Sequence, residues 1–201
     1  MELIYQLFVM PSLGMRRASE EKTLPLAYLV VILAVLSSLI GRLLMFPGTI
    51  TEAKIVLSIG LAINLIMVFG ILFLLTAIFH LVADIRGGSG KGSALYTVFS
   101  LALLPFWLLT PLAIILKSLG KEGFLVFLPL WLIILGWTVS LFIIGIREVY
   151  HISWEKTAAI FIYPLVGIGL ALTILFLLFV AALFLSLTDI FRFFPFAMNY
   201  I

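Results

Sequence analysis

Four side chains hold most of the chemistry this chain could perform. His80 and Asp84 stand four residues apart, and Glu148 and His151 three apart, so on helices each pair shares a face. A Glu-x-x-His pair on a helix can supply two ligands to one metal ion. Four nitrogen and oxygen ligands at one depth would suit zinc, manganese or iron. The plainer reading is preferred: these are polar groups at headgroup level that satisfy helix ends and one another. A divalent metal is the one cofactor worth weighing, and none is expected. Arg147-Glu148, beside the second pair, reads as an anchor that fixes helix depth. Its functional alternative is a contact for a lipid phosphate or a soluble partner.

Other chemistries fail on residue type or spacing. The chain has no cysteine, which excludes disulfides, zinc-thiolate sites, Fe–S clusters and thiol catalysis. The loop Gly87-Gly88-Ser89-Gly90-Lys91-Gly92-Ser93 resembles a phosphate-binding loop only superficially. That motif needs Gly five positions before its last Gly and Ser or Thr after the Lys. Ile85 and Gly92 occupy those places. A nucleophile elbow around Ser89 fails as well, because Lys91 stands where Gly is required. The loop reads instead as a glycine hinge. No His-Glu-x-x-His pair is present, and no span pairs Ser with His or Lys. An enzyme is therefore not expected.

These residues must be positioned by five apolar runs, residues 24–46, 55–83, 94–116, 123–146 and 157–188. A bilayer core of about 30 Å needs roughly 20 apolar residues in a helix, and all five meet that. The 201 residues are 65% hydrophobic and 10% charged, so lipid is the solvent and no separate soluble domain fits. The expected fold is all-α and polytopic, with five transmembrane helices behind a short interfacial segment over 1–23. A tail over 189–201 follows. Leu3, Ile4, Leu7 and Phe8 can share one side of a short helix lying in the headgroup plane, which Pro11 ends, and residues 16–22 read as solvated. The apolar stretch before Arg16-Arg17 is too short for a signal peptide and lies on the wrong side of the charges.

Run two, about 44 Å if helical, must tilt or emerge from the bilayer. Asn64 and Thr76 are its main polar groups and are expected to bond across helices. Ser58 and Ala62, Gly136 and Ser140, and Gly167 and Ala171 have the spacing of close-packing faces. Pro105 and Pro111 should bend run three, while Phe46-Pro47-Gly48 ends run one and leaves Arg42 to snorkel. Ser153 reads as the N-cap of run five. The start, second loop and fourth loop carry seven basic residues: Arg16, Arg17, Lys22, Arg86, Lys91, Arg147 and Lys156. The other side carries five: Arg42, Lys54, Lys117, Lys121 and Arg192. The start is therefore placed in the cytoplasm and the C-terminus outside. The basic residues sit at span ends and contact lipid phosphate, and no nucleic-acid partner is expected because no loop carries a basic cluster with aromatic stacking residues.

The order of these features resembles the Yip family of integral membrane proteins, named for interaction with Ypt/Rab GTPases. The likeness runs along nearly the whole chain. It is sharpest from Gly87-Gly88 through Pro105, and from Trp137 through Gly145-Ile146-Arg147-Glu148, His151 and Ser153 to Ala158. It implies five spans with a cytosolic start and singles out Gly87, Gly88, Pro105, Arg147 and Glu148 as interface or lipid-facing candidates. Eukaryotic members act in traffic between endoplasmic reticulum and Golgi, and some contact prenylated Rab GTPases. The long N-terminal region of those members, with its Asp-Leu-Tyr-Gly-Pro-type motif, is missing, so Rab binding does not carry over. The chain resembles the short bacterial and archaeal members.

Two functions from different classes follow. One is a non-enzymatic scaffold or membrane-organising protein, partnered by lipids and by another copy or another membrane protein. The other is a small transporter or channel for a metal ion or proton built on His80, Asp84, Glu148 and His151. An accessory subunit of a larger complex is a third.

Overall fold

The computed structural model describes residues 2–21, 23–46 and 48–198. Lys22, a basic flank, and Pro47, a helix breaker, lie outside these residues, as do the side chains of Lys121 and Arg192 from the charge count. The described residues are helical with no strand. They form α1 (Glu2–Val9), α2 (Pro11–Glu20), α3 (Leu24–Met45), α4 (Ile50–Ile55), α5 (Leu61–Ile85), α6 (Gly92–Leu101), α7 (Leu109–Lys117), α8 (Lys121–Tyr150) and α9 (Trp154–Met198). A π-helical turn, Val56–Gly60, joins α4 to α5, and a 3₁₀ turn, Leu104–Leu108, joins α6 to α7. Five helical stretches are long and apolar enough to cross a membrane: Leu24–Met45, Ala53–Ile85, Gly92–Lys117, Glu122–Tyr150 and Trp154–Ser186. The fold is all-α and polytopic.

By packing, the chain divides into Met1–Ile160 and Phe161–Ile201. In the first unit α3 packs against α5, α6 and α7, and α8 covers α6 and α7. Its centre is Phe99, which meets Phe79 of α5 and Phe142 of α8 edge-on, at centroid distances of 5.6 and 4.7 Å. The second unit is described as the remainder of α9. Its side chains from Leu165 to Ser186 are all exposed, as suits an all-round apolar helix in hydrocarbon.

Span three is broken where proline dictates. Pro111 has no N–H, so the carbonyl four residues back, that of Trp107, loses its helical donor. Ser37 on α3 replaces it, donating from Oγ to Trp107 O at 3.0 Å. The exchange is reciprocal: Thr110 N donates to Ser37 Oγ and Thr110 Oγ1 to Ser37 O, both at 3.0 Å. About two helical turns back along α3 the Trp107 indole donates to Val30 O at 3.0 Å. Gly41 lets α3 come this close, since a Cβ there would stand 3.2 Å from Leu109 O. Pro105 opens the 3₁₀ turn, at its N-terminal end.

Elsewhere in the spans polar groups bond locally. Asn64 and Thr76 do not bond across helices as expected. Asn64 Nδ2 donates to Gly60 O and Thr76 Oγ1 to Leu72 O, each at 2.7 Å and each four residues back in its own helix. That carbonyl is the nearest acceptor a short polar side chain meets. Gly136 and Gly167, expected on packing faces, have open space where a Cβ would stand.

Residues 2–20 form a helical hairpin rather than one helix ended by proline. Pro11 instead begins α2, where its missing N–H costs nothing. Gly14 closes the hairpin, because a Cβ there would lie 2.9 Å from the backbone nitrogen of Leu7. Leu3, Leu7, Met15 and Ala18 are buried, and α2 lies against α6 and α8. At the open end Arg17 donates to Glu21 at 2.7 Å and to Glu2 at 3.2 Å. Those hydrogen bonds, the Glu21 one foremost, raise the Arg17 pKa above its ordinary value.

Ser37→Ala should destabilise the detergent-solubilised protein by about 1–3 kcal/mol, because it strands Trp107 O and Thr110 N–H inside the bundle. In a Pro111→Ala background the same change should cost less, since residue 111 then supplies its own N–H to Trp107 O. A double-mutant cycle on unfolding in sodium dodecyl sulfate reads the coupling; additive losses would refute this account.

Candidate functional site

The residues singled out in the sequence meet at the ends of α5 and α8, on the face where the chain begins. Helix α5 ends because Gly87 takes a left-handed conformation, φ 78°. Gly88 N then bonds Ala83 O at 2.8 Å and Gly87 N bonds Asp84 O at 2.9 Å. This paired closure leaves no orphan carbonyl at that turn and needs a residue free to adopt positive φ. The chain then runs over the end of α8.

Here the glycines make room for a ring. A Cβ on Gly88 or on Gly90 would stand 2.7 Å from Cδ1 of Tyr150, and one on Gly92 would stand 3.0 Å from the His80 ring. The loop is therefore a cover laid on Tyr150 and His80, and its glycines serve close approach where the sequence suggested a hinge. Tyr150 is 2% exposed. Its hydroxyl lies 2.6 Å from His80 Nδ1, with the two rings stacked at 25°. This bond joins α5 to α8 across 70 positions of sequence.

The four candidate ligands divide between different tasks. His80 is engaged through Nδ1 by Tyr150. Asp84 is exposed, and its carbonyl closes α5. Glu148 pairs with Arg147 at 3.2 Å, its side chain 13% exposed. His151 is the left-handed residue that stops α8, φ 51°, with its N–H on Arg147 O. Among the described residues no three His, Asp or Glu groups come together in a way that could hold a metal ion. Arg147 also lies over the Trp154 ring at 4.6 Å, a cation–π contact that ties the end of α8 to the start of α9. Ser153 directly precedes α9, and its carbonyl accepts from both Thr157 N and Thr157 Oγ1.

Tyr150 is the residue the sequence reading missed. The available signal was the loop itself: alternate glycines at 88, 90 and 92 present one side of an extended strand of chain, and a large ring has to fill the space they leave. Gly145 has a similar role one level deeper, where a Cβ would collide with the Val98 side chain.

The arrangement is a fixed polar cap on one end of the bundle. It can hold α5, α8 and α9 in register and present Arg147 to whatever lies at the membrane surface. The Yip1 domain family model matches residues 5–176, which takes in the hairpin, the cap and all but the last part of the fifth span. No curated protein and no solved structure matches the chain.

Gly90→Leu should displace Tyr150 and lower stability by about 1–3 kcal/mol through overpacking, whereas Ser89→Leu, on the exposed side of the loop, should change it little. His151→Gly should leave stability intact or improve it, because glycine adopts positive φ freely, and His151→Val should destabilise. Thermal unfolding of the four purified variants checks both statements.

Proposed function

From the premise that this chain belongs to the Yip family of multi-pass membrane proteins, we propose that it is a non-enzymatic organiser of membrane shape, acting through its N-terminal hairpin. The packing of the hairpin along α8 carries this reading, since in a bilayer it would take the hairpin's turn to about half the depth of the core. The hairpin's charged ends, with Glu2, Arg16, Arg17, Glu20 and Glu21, lie at the open side. Its turn is apolar, and Val9, Met10 and Leu13 are exposed there. Phe8 meets Trp137 edge-on at 5.5 Å, and Trp137 lies about 20 Å from the end of α8 at Tyr150, counted as thirteen residues of helix. The ten residues of α2 rise about 15 Å, half of a core of about 30 Å.

A body that occupies one leaflet and not the other spreads that leaflet. The exposed turn gives the hairpin an apolar surface for acyl chains, while the charged end holds it at the headgroups. The four spans of the first unit and the glycine-covered cap then act as the mount. A transporter would need ionisable groups along its path, and the sequence keeps its Lys, Arg, Asp, Glu and His at span ends, which favours the organiser.

Reconstituted at a fixed protein-to-lipid ratio, the wild-type chain should shift vesicles toward smaller diameters. A Val9→Asn/Leu13→Asn variant that still purifies as a single species should lose most of the shift. Equal diameters with and without protein, by cryo-electron microscopy, would end this proposal. The basic-residue bias supports a cytoplasmic-leaflet position for the hairpin. As the chain has no cysteine, Ser89→Cys should resist a membrane-impermeant maleimide in intact cells and Ser118→Cys should react; the reverse pattern would invert the topology.

A further inference from the structure

We infer that the half of the bundle opposite the hairpin holds a single anionic phospholipid, one acyl chain in a cleft between α3, α5 and α8 and its phosphate at Arg42. The cleft measures about 820 Å³, within the range of about 300–1,000 Å³ typical of ligand pockets. Its walls are apolar, with Leu39 from α3, Val68 from α5, Phe106 from the 3₁₀ turn and Leu128 from α8. Phe106 belongs to the 3₁₀ turn that interrupts span three, so the break forms part of the wall.

Ser38, Arg42 and Asn64 line this apolar space. Ser38 gives its hydroxyl to Ala34 O at 2.8 Å, and the other two stand where a lipid needs them. Arg42 is in the last turn of α3, at headgroup depth for a span that ends at Met45. Its carbonyl accepts from Phe46 N at 2.8 Å, but among the described residues its guanidinium makes no hydrogen bond or ion pair. A guanidinium at the mouth of an oily cleft, with no carboxylate against it, is complementary to a phosphate. Asn64 lies four residues past the π-helical turn, a feature frequent at functional sites in helices. Its Nδ2 donates one hydrogen to Gly60 O at 2.7 Å, which leaves its second N–H to donate to an ester oxygen of a glycerol backbone. Trp131 also lines the cleft and reports on what fills it. The cleft and the hairpin lie in opposite halves of the bundle, so the two proposals fail separately.

The full chain in mild detergent is titrated with phosphatidylglycerol carrying brominated acyl chains, and tryptophan emission is followed. Quenching should saturate at one lipid per chain, and Trp131→Phe should remove most of the saturable part. Brominated phosphatidylcholine and brominated diacylglycerol should bind at least about tenfold more weakly, as one charge-assisted pair is lost or opposed. Arg42→Gln should weaken phosphatidylglycerol to the level of diacylglycerol, while Lys117→Gln should not. The wild-type lipid comparison needs no variant and stands if Arg42→Gln fails to fold. Equal affinity for all three lipids, or saturable quenching unchanged by Trp131→Phe, would overturn the proposal.

Discussion

In hydrocarbon no water is available to take up a stranded N–H or C=O, so every interruption of a helix must be repaired by protein. Span three is interrupted deliberately, and its repair organises the bundle. The carbonyl freed by Pro111 is received by Ser37, and Ser37 and Thr110 exchange further hydrogen bonds. Together with the indole bond to Val30, they fix α3 against the broken segment in one register. In that register Phe99 lies between α5 and α8, and Phe106 of the 3₁₀ turn lines the cleft. A straight third span would have neither the need for Ser37 nor the space beside it.

The two ends of the bundle are built by different means. At the end where the chain begins, closeness comes from missing side chains: Gly88, Gly90 and Gly92 admit Tyr150 and His80, and Gly14 closes the hairpin. At the other end, a cleft lies between helices, walled in part by Phe106 of the broken span. The first end is suited to holding shape, and the second to admitting a molecule from the bilayer.

The apolar runs, and hence the fold class, could be read directly because length and hydropathy alone decide whether a segment can sit in lipid. Pro105 and Pro111 likewise announced a break. What replaces the lost hydrogen bonds could not be read, because Ser37 lies more than 70 positions before Pro111 and nothing local marks it as the partner. The site was legible in its residues and not in their roles. The four acidic and imidazole groups suggested ligands by type and spacing, yet His151 is where it is for its backbone angle and His80 for its bond to Tyr150. Spacing along a helix reports a shared face; it does not report which neighbour arrives to occupy a ring nitrogen. Asn64 and Thr76 were misread for a related reason: a donor in lipid takes the nearest carbonyl, and that carbonyl is usually its own.

The π-helical turn at Val56–Gly60 has a bearing on how such a chain can change over generations. A π turn carries one residue more than the α turn it replaces. Deleting one residue there relaxes the backbone to an ordinary helix while both flanking stretches keep their rotational phase. Anywhere else in a span, the same deletion would swing everything beyond it by about 100° and carry buried groups out toward lipid. This turn is therefore the site along the second span where gain or loss of a codon is tolerated, and related chains should differ in length there before they differ in the helices on either side.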